Sequence, residues 1–209
     1  MTDREVFLVE MYKKMWDNID RHILVVWQSV GVLVGALATF ALLDKQIVTS
    51  DYGSALDYAT AFVVLTATWQ LSHVYDANFW YNRNLLIIAN IERQFLRPED
   101  AHELHFYFLG HRKSRDMVGH LKVQRFFGLC VVIIVLLRHF ALRVFPGFGS
   151  PISNFDPKRA LPYAAIFVCS IFFYKLRAQQ RQSYETLARK SPGKVVVAGE
   201  TKIQEGGYS

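Results

Sequence analysis

Residues 23–43 read ILVVWQSVGVLVGALATFALL, twenty-one positions without an Asp, Glu, Lys or Arg. At about 1.5 Å of rise per helical residue, that run covers roughly 30 Å, the thickness of a hydrocarbon core. Backbone polar groups in lipid must bond within their own segment, so a run of this kind reads as a transmembrane helix. Residues 58–75 repeat the pattern with no Asp, Glu, Lys or Arg, although Gln70 and His73 lower its apolarity. Two shorter candidates follow at residues 126–145 and 160–174. The strictly uncharged part of the first is only twelve residues, 126–137, before Arg138; the second carries Pro162 in its first turn and is closed by Lys175. The expected fold class is therefore all-α, an integral membrane helical bundle of four transmembrane helices.

The 209 residues are 52% hydrophobic, with only six Pro and twelve Gly, which leaves room for one helical domain. Cys130 and Cys169 both sit in apolar segments, where thiols act as small hydrophobes rather than as a disulfide pair or metal ligands. A formal charge of +6 raises nucleic-acid binding as a possibility, but the basic residues flank the apolar blocks instead. Four Lys and Arg fall in residues 1–22, eight in 81–125 and seven from Lys175 onward, against five elsewhere. By the positive-inside rule both termini and the central segment are cytoplasmic, and an even number of spans satisfies this. The cluster Arg112, Lys113, Arg115, Lys122 and Arg125 then reads as an anchor to anionic headgroups, with no nucleic-acid partner. Asp3, Glu5, Glu10, Asp17 and Asp20 precede the first apolar block, and no small-residue cleavage site follows, so retention in the membrane is expected.

Outside the spans the chain is also expected to be helical, as a cytoplasmic collar. Residues 1–22 form one amphipathic segment, in which Phe7, Met11, Met15 and Ile19 recur beside Leu8, Tyr12 and Trp16. Acidic residues outnumber basic ones there, which favours packing on protein over anionic lipid. The membrane domain occupies residues 23–190, with a projecting helix and loop at 76–125, and residues 191–209 are a tail after the break at Ser191, Pro192 and Gly193. No Pro or Gly interrupts residues 54–97, so one helix is expected to run from the second span until Pro98 stops it. Its projecting part is apolar, with Leu85, Ile88, Ile91 and Phe95, and an uncovered helix of this kind calls for neighbouring subunits. Residues 176–190 read as a separate amphipathic helix.

Several polar features stand out. Gly31, Gly35 and Thr39 make a small-residue row on one face of the first span, suited to close helix packing within or between subunits. Thr66, Gln70 and His73 form a stripe that lipid cannot satisfy; it serves either interhelical hydrogen bonding or a water-filled pathway. Arg138, within the third span, needs a carboxylate or a short reach to the surface, and Asp44 and Asp57 at the outer span ends are the expected partners. His102, His105 and His111 lie in an acidic loop as a weak metal candidate, without a second ligand pair. Phosphate loops, nucleophile elbows and dinucleotide fingerprints are missing, so the chain reads as non-enzymatic with no cofactor.

The stretch Asp76-Ala-Asn-Phe-Trp-Tyr-Asn-Arg-Asn-Leu-Leu86, followed by Ile91-Glu-Arg-Gln-Phe95, resembles the signature of the RipA-family octameric membrane proteins. The helix around Tyr12 to Trp16, the order of spans and the size are similar too, so the resemblance covers roughly residues 5–180. It implies a homo-oligomer of the bacterial cytoplasmic (inner) membrane, an octamer in that family; Trp80, Arg83, Asn84, Asn90, Glu92 and Arg93 of the projecting helix are expected as oligomer or packing residues. The chain also resembles the two-span effector modules of bacterial nucleotide-signalling defence systems, which have two spans where four are expected here. Two functions are compatible with these features. One is a scaffold used in stress adaptation or membrane organisation, binding copies of itself or a cytoplasmic protein partner. The other is a gated pore or membrane-disrupting effector lined by the polar stripe.

The charge asymmetry predicts that a reporter enzyme fused after Ser209 is active on the cytoplasmic side, and that the chain sediments with membranes in the absence of detergent. Periplasmic activity of the fusion contradicts it.

Overall fold

The computed structural model of the chain describes residues 2–47, 53–92, 94–96, 119–151 and 156–190. Among these, the structure is helical throughout, in four α-helices: α1 Asp3–Ile47, α2 Gly53–Glu92, α3 Gly119–His139 and α4 Leu161–Lys190. A π-helical turn at Phe140–Val144 and a 3-10 turn at Phe145–Gly149 extend α3, and a 3-10 turn at Pro157–Ala160 leads into α4. Three helical stretches are long and apolar enough to cross a membrane: Asp3–Leu42, Gly119–Gly149 and Pro157–Lys190.

Helix boundaries follow the local chemistry. Thr2 opens α1 as a capping box, its hydroxyl accepting from the Glu5 amide while the Glu5 carboxylate accepts from the Thr2 amide. The amphipathic N-terminal segment and the first apolar block, expected as separate helices, form the single helix α1, since no Pro or Gly lies between them. The same applies at Lys175, which does not end α4. Asp156 caps the turn before α4 by accepting from the Lys158 amide, with Pro157 next to it at a position that needs no donor.

The chain divides into two compact units. One comprises the described parts of Met1–Val25, Tyr75–Val118 and Arg177–Ser209. Its core joins Ile19, Tyr81, Leu85 and Ile88, with Tyr12, Met15, Trp16 and Ile23 packed against them. Leu86 buries itself against Tyr184, Leu187 and Ala188. The N-terminal segment thus packs on protein, as its charge suggested, except that Phe7 is left 66% exposed. This corrects the expectation for the projecting part of α2. Leu85, Ile88 and Ile91 are covered within the chain, so their apolarity does not itself require another subunit.

The second unit comprises Val26–Val74 and Gly119–Leu176. Leu33 and Phe40 of α1, Leu56, Val63, Val64 and Ala67 of α2, and Val131, Val132 and Val135 of α3 form its core, with Ala165 and Ile166 of α4 against it. Of the four expected spans, the one on α2 falls short of the others in apolarity, and burial explains why. Asp57, Thr60, Thr66, Thr68 and Gln70 lie on its buried side, whereas its exposed residues Tyr58, Phe62, Leu65 and Trp69 are aromatic or aliphatic. The polarity of α2 is turned inward.

Ile88 is fully buried and Phe7 is not, which sets up a paired test. Ile88→Ala is expected to lower unfolding stability in detergent by about 2–5 kcal/mol through the cavity it leaves. Phe7→Ala is expected to change it by less than about 0.5 kcal/mol.

Candidate functional site: a sealed charge cluster and a buried polar layer

Asp57 lies in the second turn of α2 with no solvent exposure, and an isolated ionised carboxylate in such a place is strongly unfavourable. Two side chains, one at the end of α3 and one in the π turn that follows it, neutralise or bond to this group. Arg143 approaches bidentately, Nε donating to Oδ1 at 3.0 Å and Nη2 to Oδ2 at 2.9 Å. His139, also fully buried, places Nε2 2.8 Å from Oδ1, and its Nδ1 lies 3.1 Å from the Tyr163 hydroxyl of α4. One tautomer satisfies both contacts: Nε2–H donates to Asp57, and Nδ1 accepts from the Tyr163 O–H. Asp156 adds a longer ion pair to Arg143 at 3.8 Å.

Local backbone geometry makes this possible. The α-helix ends at His139, and the chain continues as a π turn in which the Phe145 amide bonds to the Phe140 carbonyl. Wide turns of this sort redirect side chains where a straight α-helix would not. Here His139, before the turn, and Arg143, within it, both meet Asp57. The sequence reading expected Arg138 to take Asp57 or Asp44. In the structure the direct hydrogen bonds to Asp57 come from its neighbour His139 and from Arg143, five residues beyond Arg138. The side chain of Asp44 is outside the described residues. Arg143 lies four residues after His139, and the sequence reading did not single it out.

The expected polar stripe divides. Thr66 donates to the Phe62 carbonyl, in the same way as Thr60 to Leu56, Thr68 to Val64, Ser72 to Thr68 and Ser29 to Val26. Hydroxyls that bond back into their own helix are neutral toward an apolar environment. His73 is half-buried, its ring edge-on to Trp69 at 4.6 Å. Gln70 alone is wholly buried with neither amide nitrogen nor oxygen partnered among the described residues. It faces Gly128 of α3, where a Cβ would stand 2.6 Å from Gln70 Oε1 and 3.0 Å from Leu71 Cδ2. A larger residue at 128, a position that sequence reading passed over, would therefore have to displace the end of the Gln70 side chain and crowd Leu71. Between Asp57 and Gln70, the fully buried Val63, Val64 and Ala67 form an apolar layer.

Gly31 and Gly35 lie on an exposed face of α1, and a Cβ added at either meets nothing within 4 Å. Thr39 is on the same face, bonded to the Gly35 carbonyl, and also lines an apolar groove of about 420 Å³ with Ala36, Phe40, Ala55, Tyr58, Ala59 and Phe62. Among the described residues, nothing of the chain covers Gly31 or Gly35.

In the other unit the residues expected to pack between copies are engaged within one chain. Trp80 stacks on His22 at 5.5 Å, with the Arg83 guanidinium 4.9 Å from its ring. Arg83 also donates to Asn84, which is fully buried, and Asn90 is half-buried. Glu92 accepts from the Tyr12 hydroxyl at 3.3 Å. Burial pushes the Tyr12 phenol up, a contact with Trp16 opposes this and Glu92 adds to it, so Tyr12 stays a donor at neutral pH. Arg93, His102, His105 and His111 lie outside the described residues.

The chain matches no protein-family model, no curated protein and no solved structure.

Removing one partner of a buried ion pair strands the other. Asp57→Ala is therefore expected to lose about 3–5 kcal/mol of unfolding stability in detergent. Tyr163→Phe, which removes a single hydrogen bond, is expected to lose about 0.5–1.5 kcal/mol. Equal effects of the two would contradict the assigned geometry.

Proposed function

We propose that this chain is a homo-oligomeric integral protein of a bacterial inner membrane, acting as a non-enzymatic scaffold in stress adaptation or membrane organisation. All four helices cross the bilayer in this reading, α2 included, with both termini and the unit holding them in the cytoplasm as a collar. The observation that carries it is the inverted polarity of the second unit. Its exposed large hydrophobic residues include Trp27, Val34, Phe62, Trp69, Ile134, Leu137 and Phe167, while Asp57, His139, Gln70 and the threonines of α2 face inward. Lipid tolerates such a surface and water does not.

Self-association rests on the open face of Gly31, Gly35 and Thr39, where a helix of a second copy approaches closely and gains dispersion contacts. A ring of eight is the stoichiometry that the family resemblance implies. The sealed environment of Asp57 and His139 favours a structural role over catalysis, because a substrate has no approach to either. The apolar layer between Asp57 and Gln70 likewise favours a scaffold over a conduit through one subunit.

Mass measurement in lipid nanodiscs tests the assembly. The wild type is expected as a defined multiple of 24.1 kDa, and Gly31→Leu with Gly35→Leu as smaller species with the same helicity. An unchanged mass moves the interface elsewhere, and a monomeric wild type overturns the scaffold. In planar bilayers the protein is expected to pass no current; a steady conductance that changes with Gln70→Leu establishes the pore instead.

A further inference from the structure

The surface of the second unit is furrowed where α1 and α2 meet. Buried Ala36 and Phe40 and half-buried Ala59 form the floor of this groove of about 420 Å³, and Tyr58 and Phe62 stand exposed along it. Thr39 also lines it, but its hydroxyl is spent on the Gly35 carbonyl. The lining runs along α2 from Ala55 to Phe62, about 10 Å at 1.5 Å of rise per residue. The furrow therefore follows the helices and is apolar along its length.

One end of it meets a positive charge. Ala55 lines the groove, and the hydroxyl of its neighbour Ser54 accepts from Lys158 Nζ at 3.3 Å. That hydroxyl is neutral, so it cancels nothing, and among the described residues no carboxylate pairs with the Lys158 ammonium. The two acidic side chains described at this end, Asp57 and Asp156, both turn to Arg143. Against these two stand three cations, Arg143, Lys158 and Arg159. An apolar furrow with an exposed, uncancelled ammonium at its mouth complements a molecule with an anionic head and a hydrocarbon tail.

We propose that the α1–α2 furrow holds one acyl chain of an anionic glycerophospholipid, its phosphate on Lys158. The inference rests on the membrane-spanning reading of α1 and α2, which brings the furrow parallel to the surrounding acyl chains. A headgroup with an ammonium of its own, such as choline, sets a second cation beside Lys158 and is disfavoured. A second copy fits less well. A helix with its side chains is about 10–12 Å across, whereas packed helix axes stand about 8–10 Å apart, so a neighbouring helix rests on the rim and leaves the furrow open. Bound lipid then covers apolar surface next to the face of Gly31 and Gly35.

Native mass spectrometry of the full-length protein tests it, after delipidation in detergent and addition of phosphatidylglycerol or phosphatidylcholine with the same acyl chains. The wild type is expected to keep phosphatidylglycerol at collision energies that strip phosphatidylcholine. Lys158→Gln is expected to cut phosphatidylglycerol retention several-fold, to the phosphatidylcholine level, and Ala59→Trp, which fills the furrow, to cut retention of both at unchanged helicity. Equal retention of the two lipids by the wild type overturns the proposal, as does undiminished phosphatidylglycerol in Lys158→Gln. Ala59→Trp that alters the mass of the assembly but keeps its lipid overturns it too, and assigns the furrow to a second copy. The wild type and Lys158→Gln, a change at an exposed side chain, decide by themselves if Ala59→Trp does not fold. A chain that stays in solution without detergent overturns the membrane reading itself, whereas a detergent-requiring chain without lipid preference overturns this inference alone.

Discussion

A carboxylate closed off from solvent has to be neutralised where it stands, and the second unit is arranged around that demand at Asp57. Its two oxygens take three hydrogen bonds from Arg143 and His139, and His139 passes the connection on to Tyr163. One residue on α2 thereby ties together α3, the π turn after it and α4. The bidentate pairing fixes an angle as well as a distance, which a contact between aliphatic side chains does not. In a bundle whose core is largely valine, leucine and alanine, interchangeable packing leaves register loosely specified, and a charge cluster at one end sets it.

α2 is the organising helix of each unit in turn. In the second unit its buried side carries Asp57, the back-bonded threonines and Gln70; in the other, Tyr81, Leu85 and Ile88 receive the amphipathic start of α1, and Leu86 receives the end of α4. Its polarity and its burial are one fact seen twice. A helix that touches protein over most of its circumference is free to carry polar groups, provided each is matched. The three stretches apolar enough to cross a membrane, on α1, α3 and α4, are all mostly unburied within the chain.

Much of this architecture was legible in the sequence. Uninterrupted runs free of charge identified three of the apolar helices, and the absence of Pro and Gly from residues 54–97 foretold the length of α2. The periodic face of Met15 and Ile19 foretold packing on protein. What stayed hidden were properties of pairing. Arg138 and Arg143 look alike in a linear pattern, and only the folded chain shows that Arg143 reaches Asp57. Gly128 is one small residue in an apolar run until Gln70 is seen opposite it. Equally, an apolar stretch such as residues 85–91 appears to need another subunit when the segments that cover it lie some 70 and 100 residues away.

The π turn at Phe140–Val144 has an evolutionary corollary. Such a turn contains one residue more than the α-helical path it replaces, so its integrity depends on chain length as well as on side-chain identity. Deleting a single residue between His139 and Arg143 would let the segment relax to a regular helix with the two residues three apart instead of four, changing the angle and height from which the guanidinium approaches its carboxylate. Descendants of this chain are thus freer to exchange the hydrophobic residues of that turn than to lose one of them, and gaps in this short segment should be rarer than substitutions.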